Sequence, residues 1–231
     1  MPWNSQEIDP DWPYDLYATR FDLDATTTAL LVIDMQSKDV HIASVAPTAQ
    51  RYPKMAAYFN ERVETLVVPN VIKLIDLFRS HDRKIIYTRN GSTTTTGDEV
   101  TPRLKRKRRG KPAYNRSSPG YDVDPRLAPT RQDLVVDKLT SGAFAASWLD
   151  HALRNMEIRG LVITGVMTDM CVLGTARAAA EIGYDSLICA DACATLTERA
   201  HTEALLMHAR VFGRVADTQQ AIEELTASDR R

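Results

Sequence analysis

Short apolar runs without polar alternation recur along this chain, and stretches with helical spacing separate them. In "TALLVID", Thr28 to Asp34, five consecutive residues between the threonine and the aspartate are apolar. This pattern is typical of a strand that is buried on both of its faces. Strands of this kind, separated by helices, indicate a parallel sheet with helices packed on both sides. The sequence therefore predicts an α/β fold, a three-layer α/β/α sandwich around a six-stranded parallel sheet.

The predicted elements fill one domain of 231 residues. The predicted strands cover Thr28–Asp34, Lys84–Arg89, Asp133–Lys138, Gly160–Val166, Asp185–Ala190 and Gly213–Thr218. The predicted helices cover Val68–Ser80, Ala146–Met156, Cys171–Tyr184, Thr197–Arg210 and Thr218–Ala227, and Gly183 is expected to cap the third of them. Residues 1–27 form an N-terminal arm. An insert at residues 37–66, helical from Lys54, is expected to be a lid, a subunit contact or a surface packing element.

Composition argues against several classes of function. The formal net charge is -1, so the chain has no overall attraction for nucleic acid or anionic membranes. No apolar run is long enough to span a bilayer, and the acidic start lacks the basic-then-apolar order of a secretory leader. Cys171, Cys189 and Cys193 leave one thiol over in any pairing. We therefore expect free thiols and a cytoplasmic location, with Cys189 and Cys193 in or near the core.

One strongly basic run, "RLKRKRRGK" from Arg103 to Lys111, stands out against this neutral background. Its default interpretation is a solvated loop, because the rest of the chain is near neutral. The alternative is a rim that contacts an anionic neighbour. Neither interpretation makes it a nucleic-acid site.

Three reactive side chains follow predicted strands at the edge where parallel sheets bind their ligands, beyond the carboxyl ends. Asp34 ends the first strand, Lys138 ends the third, and Cys171 comes a few residues after the fourth. Each alone has an ordinary explanation, as a turn former, a solvated lysine or a small buried side chain. Their shared position at one edge favours a reactive site instead.

The chemistry of these three groups is complementary. A free thiol has a pKa of about 8.5, and a helix N-terminus and a nearby ammonium both stabilise the thiolate. We expect Lys138 to outweigh Asp34 and to lower the pKa of Cys171. Asp34 would take the thiol proton and pass it to a leaving amine, while N–H groups of the "GVMTDMC" turn would hold an oxyanion. The set predicts acyl transfer at a C–N bond through a thioester.

Arg89 and Asn90 follow the second predicted strand at the same edge. Because that edge is where the sheet binds ligands, they are the candidates for direct contact with the substrate. They are better candidates for this role than the basic run.

Four segments in this order resemble the isochorismatase-like cysteine hydrolase superfamily: "ALLVIDMQ", "DKLTSGAF", "GVMTDMCVLGTARAAAEIGY" and "ADACAT". The segment "SPGYDVDPRL" is similar to the stretch that this family carries before its lysine. The resemblance runs from Thr28 to the C-terminal helix. It implies a catalytic triad of Asp34, Lys138 and Cys171.

The same resemblance implies a particular geometry for the turn that carries Cys171. A cis peptide is expected between Val166 and Met167, turning backbone N–H groups toward the substrate. The matching oxyanion donors are the amides of Met167 and Cys171. The resemblance also implies a homo-oligomer, a dimer or a tetramer, for which Trp3 and Trp12 of the arm are candidate contacts.

The presence of Cys171 narrows the branch of the family, because isochorismatases proper lack the nucleophile at this position. Nicotinamidases carry an Asp-x-His motif and further histidines that hold a metal. Asp39 and His41 have that spacing, but they come too soon after Asp34 and no second histidine follows nearby. The other histidines, His81, His151, His201 and His208, lie in or beside predicted helices away from the edge.

The metal-free amidases remain as the best match, and they need no metal and no cofactor. Their substrates are small amides, ureides such as biuret, and N-carbamoyl compounds. The "WPYD" element, Trp12 to Asp15, is similar to a stretch of the biuret hydrolases. Two alternatives stay open: a metal-dependent nicotinamidase-like amidase, and a catalytically idle paralogue that serves as a binding or scaffold subunit.

Overall fold

The computed structural model describes residues 2–108 and 110–228, and its centre is a six-stranded sheet in the order β3-β2-β1-β4-β5-β6. Every neighbouring pair is parallel, so the predicted α/β architecture is confirmed. The strands are β1 Thr28–Ile33, β2 Ile85–Asn90, β3 Leu134–Lys138, β4 Gly160–Val166, β5 Asp185–Ala194 and β6 Arg214–Ala216. The chain adds β2 and β3 on one side of β1 and then crosses to β4 on the other side. The crevice at such a switch point is where α/β sheets bind ligands.

Helices cover both faces of this sheet. They are α1 Ser5–Ile8, α2 Tyr14–Tyr17, α3 Pro47–Arg51, α4 Pro53–Arg62, α5 Val68–Ser80, α6 Pro102–Arg108, α7 Leu149–Asn155, α8 Leu173–Glu181, α9 Glu198–Met207 and α10 Thr218–Ser228. Wider π-helical turns continue several of them, at Val63–Val67, Thr168–Val172 and His208–Phe212. In the described ranges, no helix combines the length and the apolar character needed to cross a bilayer.

The absence of polar alternation in β1 has a direct packing cause. Leu30 and Val32 pack into one core cluster with α5 and α10, and Leu31 and Ile33 pack into the other with α7, α8 and α9. All four side chains are fully buried. Since successive side chains of a strand point to opposite faces, a strand covered on both faces has no position that faces solvent.

Strand β5 runs four residues further than the sequence predicts. After a register shift between Ile163 and Gly165, the β4–β5 ladder resumes with Gly165 opposite Cys193. Cys189 and Cys193 are both fully buried and free, which confirms the prediction of core thiols. The extension matters for the site, because it brings the end of β5 alongside the turn that follows β4.

The insert is anchored to the core rather than standing apart from it. Helix α4 begins at Pro53, close to the predicted start at Lys54, and its Phe59 is fully buried in the cluster that also holds Val63. The insert is therefore at least a packing element, while its role as a lid or subunit contact stays a prediction.

The arm packs on its own chain as well. Trp3 lies against the second core cluster, and the guanidinium of Arg210 lies 5.3 Å from the centre of a Trp12 ring. Among the described residues of the arm, the exposed large apolar side chains are instead those of Ile8, Leu16 and Tyr17. The homo-oligomer remains a prediction, but Trp3 and Trp12 are less available as contacts than the sequence suggests.

The first six residues of the basic run, Arg103–Arg108, are helical where the sequence predicts a solvated loop. Helix α6 begins at Pro102, a residue that suits the first turn of a helix because it needs no amide donor there. Arg103 Nη2 donates to Ser141 Oγ over 3.0 Å, so the helix contacts the segment after β3. Arg109, inside the run, lies outside the described residues.

Gly165 permits a close approach of β4 to β1 that an alanine would prevent. Its φ is 112°, and a Cβ here would lie 2.0 Å from the carbonyl oxygen of Ile33.

We expect Gly165→Ala to lower the free energy of unfolding by about 3 kcal/mol or more, since both backbone strain and overpacking act. Gly174→Ala is the matched control, because its Cβ would come no closer than 3.7 Å to its nearest neighbour. In helix α8 it should stabilise by up to about 1 kcal/mol. Urea unfolding measures both changes, and equal midpoints for the two variants would contradict this account.

Candidate active site

Asp34, Lys138 and Cys171 meet at the carboxyl ends of β1, β3 and β4. Lys138 Nζ lies 2.7 Å from Asp34 Oδ2 and 3.4 Å from Cys171 Sγ. The three residues are 2%, 0% and 9% exposed, in chain order. The structure thus brings together the three side chains that the sequence selects.

Backbone carbonyls complete the surroundings of the buried ammonium. Lys138 Nζ donates to the carbonyl oxygens of Thr140, over 3.0 Å, and Ser141, over 2.9 Å. A buried charge is tolerated when it is both paired and hydrogen-bonded. Lys138 ends the edge strand β3 and reaches past β2 to Asp34, the residue that follows β1.

Thr88 of β2 fixes the carboxylate, and the sequence analysis missed it. Its hydroxyl donates to Asp34 Oδ1 over 2.7 Å, and its carbonyl oxygen accepts from the Asp34 amide over 3.2 Å. Asp34 itself has a φ of 49°, a left-handed conformation that aspartate adopts more readily than most residues. Asp34 can therefore form the turn after β1 and still place its carboxylate beside Lys138.

The prediction that Lys138 lowers the pKa of Cys171 is wrong for the free protein. Burial raises the pKa of the thiol to about 12, the negative charge of Asp34 adds to this rise, and Lys138 offsets only part of it. Burial also acts to lower the pKa of Lys138, but Asp34 and Cys171 outweigh it and raise that pKa above its usual value. The free protein thus holds a neutral thiol beside a charged lysine.

The turn that carries Cys171 has the expected backbone and unexpected partners. The peptide bond between Val166 and Met167 is cis, as the resemblance implies, and Cys171 lies in the π-helical turn Thr168–Val172. Thr168 Oγ1 lies 2.9 Å from His201 Nδ1. The placement of His201 away from the edge was therefore wrong. The sequence carries no local signal for this contact, because α9 reaches the turn only through the fold.

Arg89 and Asn90 occupy different faces of β2. Thr88 faces Asp34, so its neighbour Arg89 points to the opposite face, where its Nε donates to Asp137 Oδ1 over 2.8 Å. The structure does not bring Arg89 to the triad, which departs from the prediction of substrate contact. Asn90 does lie on the triad's side, because it is opposite Lys138 in the β2–β3 register.

A cavity of about 280 Å³ lies beside the site. Asn90 and Leu139 line it, so it is next to the end of β3. Helix α6 forms another part of its wall. The full lining comprises Lys38, Asn90, Gly91, Ser92, Val100, Leu104, Lys107, Ala113, Tyr114 and Leu139. The basic run thus contributes to the surroundings of the site rather than to open solvent alone.

The Asp-x-His pair, Asp39 and His41, belongs to no metal-binding group among the described residues. Asp39 forms an ion pair with Lys38, and His41 is exposed. Among residues 2–108 and 110–228, no group of three or more His, Cys, Asp or Glu side chains is arranged to hold a metal ion.

Comparisons with known proteins show what this chain is similar to. An isochorismatase domain model matches residues 28–220. The ureidoacrylate amidohydrolase RutB of Acinetobacter baylyi is 27% identical over 209 residues, 84% of this chain and 82% of its own. RutB of Serratia proteamaculans is 28% identical, over 87% of this chain and 83% of its own. A cysteine hydrolase structure from Pseudomonas syringae pv. phaseolicola superposes with a TM-score of 0.74 at 24% identity, covering 91% of this chain and 98% of that one. The N-carbamoylsarcosine amidase of Thermoplasma acidophilum gives a TM-score of 0.63 at 24% identity, covering 83% and 96%. The two structures show the shared fold.

Charge substitutions should change the reactivity of Cys171 in opposite directions. Asp34→Asn removes a charge that raises the thiol pKa, so we expect faster alkylation by iodoacetamide at pH 8. Lys138→Met removes the ammonium and should slow the same reaction. Mass spectrometry of peptides measures the rates, with fully buried Cys189 and Cys193 as internal controls. Equal rates in the wild type and both variants would contradict the opposed action of the two charges.

Proposed function

The chain belongs to the isochorismatase family of hydrolases, and from this premise we propose that it is a cysteine-dependent amidohydrolase that forms a thioester. The observation that carries the proposal is the buried contact of one ammonium with both a carboxylate and a thiol, Lys138 Nζ with Asp34 Oδ2 and Cys171 Sγ. A nucleophile, a group able to carry its proton and a fixed positive charge are the parts that acyl transfer needs.

In the first half of the proposed reaction, Asp34 takes the thiol proton as Sγ of Cys171 attacks the substrate carbonyl. The C–S bond forms, and the backbone N–H groups of Met167 and Cys171 donate hydrogen bonds to the resulting oxyanion. Asp34 then gives the proton to the leaving nitrogen, the C–N bond breaks, and ammonia or an amine departs. A thioester on Cys171 remains.

In the second half, water replaces the amine. Asp34 takes a proton from the water as the water oxygen attacks the thioester carbonyl. The C–S bond breaks, the acid product leaves, and the proton returns to Sγ. Lys138 stays protonated throughout, because the adjacent carboxylate and thiol keep its pKa raised. Its charge stabilises the sulfur whenever the thiolate forms.

The neutral thiol of the free protein fits this sequence of steps. With a pKa of about 12 for Cys171, the thiolate is scarce at neutral pH. Deprotonation must therefore accompany attack, which gives Asp34 a role as a general base rather than a spectator. A buried thiol that is protonated at rest also reacts little with stray electrophiles.

The substrate is proposed to be a small amide, ureide or N-carbamoyl compound. Two of the similar proteins support this class by their names, a ureidoacrylate amidohydrolase and an N-carbamoylsarcosine amidase. The cavity beside Leu139 offers space for the rest of such a molecule, with Leu104 as an apolar contact and Lys107 as a positive charge. This lining favours a substituent that is partly apolar and anionic.

The decisive test is a substrate panel with a nucleophile variant. Ammonia release is measured with ureidoacrylate, N-carbamoylsarcosine and biuret, the last of which lacks a carboxylate. Cys171→Ser should fold normally and lose nearly all turnover, since an alcohol is a far weaker nucleophile than a thiolate. Cys189→Ser is the control and should keep its activity once folded.

Two outcomes would sink the proposal. More than a few per cent of turnover in Cys171→Ser would exclude the thioester, and no release from any small amide or ureide would favour the idle paralogue. Loss of activity on dialysis against EDTA would favour the nicotinamidase-like alternative.

A further inference from the structure

A buried chain of side chains connects the insert to the turn that carries Cys171. Arg62, the last residue of α4, places Nη2 2.7 Å from Nε2 of His201 on α9. The other ring nitrogen, Nδ1, lies 2.9 Å from Thr168 Oγ1. His201 is 4% exposed and Thr168 is fully buried. None of the three is used by the proposed thioester chemistry itself.

The chemistry of Arg62 fixes the tautomer of this histidine. A guanidinium can only donate hydrogen bonds, so Nε2 of His201 must accept and must carry no proton. A neutral imidazole then carries its proton on Nδ1. Nδ1–H therefore donates to Thr168 Oγ1. Burial and the charge of Arg62 lower the pKa of His201 to about 3, which agrees with a neutral ring.

Arg62 is itself held by the extended end of β5. Its Nε donates to the carbonyl oxygen of Cys193 and its Nη2 to that of Ala190, each over 2.9 Å. The guanidinium thus cannot turn away from His201 without losing two backbone hydrogen bonds. Arg62 of the insert is therefore a fixed hydrogen-bond donor to the His201 ring, and α9 holds that ring against Thr168 of the turn.

Thr168 is the residue through which this chain would act on the reaction. It follows Met167, whose amide is the proposed oxyanion donor, and it begins the π-helical turn that holds Cys171. Its neighbour Asp169 accepts from Thr195 Oγ1 over 2.5 Å. Two consecutive side chains of the turn are therefore held by hydrogen bonds. Thr168 is held by His201 on α9, and Asp169 is held by Thr195, which follows β5.

We propose that His201, held as the Nδ1–H tautomer by Arg62, is a positioning residue for the oxyanion turn. It touches no substrate, and it keeps the Met167 amide in place by fixing Thr168. The inference rests on the proposed thioester chemistry. Through it, the insert at residues 37–66 becomes part of the catalytic framework.

Two reactions of the same sulfur separate this role from a purely structural one. Acylation of Cys171 by p-nitrophenyl acetate passes through a tetrahedral oxyanion, and its burst of p-nitrophenol reports that step. Alkylation by iodoacetamide displaces iodide at a saturated carbon and needs no oxyanion hole. A misplaced oxyanion turn slows the first reaction and spares the second, whereas a damaged fold changes both.

We compare the ratio of the acylation rate constant to the alkylation rate constant in three variants. His201→Leu removes the donor to Thr168, and we expect the acylation rate constant to fall by about tenfold or more, with alkylation changed less than about twofold. His201→Asn keeps an N–H near the Nδ1 position and should retain most of the acylation rate. His208→Leu is the matched control, because His208 is also a buried histidine, but it lies by Ser186, at the other end of β5.

An unchanged ratio in His201→Leu would overturn the inference, and so would an equal fall in His208→Leu. If the wild-type protein gives no burst, or if Cys171→Ser keeps the burst, the proposed thioester chemistry is wrong. The role of His201, which rests on that chemistry, is then wrong as well. If His201→Leu does not fold, nitrogen NMR of ¹⁵N-histidine-labelled wild type at pH 7 decides. A ring protonated on Nδ1 supports the inference, and one protonated on Nε2 contradicts it.

Discussion

The candidate active site of this protein depends on the ion pair between Asp34 and Lys138. Both side chains are almost completely buried, and two charges at that depth are stable only when their pairing and hydrogen bonds replace the lost water. The structure meets this condition on both sides. Thr88 donates to the carboxylate, and the carbonyls of Thr140 and Ser141 accept from the ammonium. Removing either charge would leave the other buried without its partner, so each charge stabilises the other.

The same pair sets the state of the thiol. Because Asp34 neutralises much of the charge of Lys138, the lysine alone cannot hold Cys171 as a thiolate against the effect of burial. The resulting resting state is a thiol, a carboxylate and an ammonium in contact. In the proposed mechanism this state is ready for proton transfer, since the carboxylate that receives the proton is already held in place by Lys138 and Thr88.

The extended end of β5 also connects the insert to the turn that carries Cys171. By continuing past the register shift opposite Gly165, it offers carbonyl groups to Arg62 of the insert, and Arg62 in turn orients His201 beneath the turn. A segment that looks like an addition to the fold is thereby tied to the backbone around Cys171. The insert, β5 and α9 converge on one short turn, which is where the proposed oxyanion would form.

The sequence by itself determined the six-stranded parallel sheet and selected three candidate catalytic residues at one of its edges. Strand ends are local features, and the carboxyl ends of parallel strands must meet at one edge, so Asp34, Lys138 and Cys171 could be selected without coordinates. Family resemblance added the cis peptide at Met167. Tertiary structure decided what depends on neighbours from distant parts of the chain. It set the direction of the Cys171 pKa shift, which follows from burial, and the outward face of Arg89, which follows from strand register. It also decided the partnership of Arg62, His201 and Thr168, because these residues come from three elements that only folding brings within hydrogen-bonding distance.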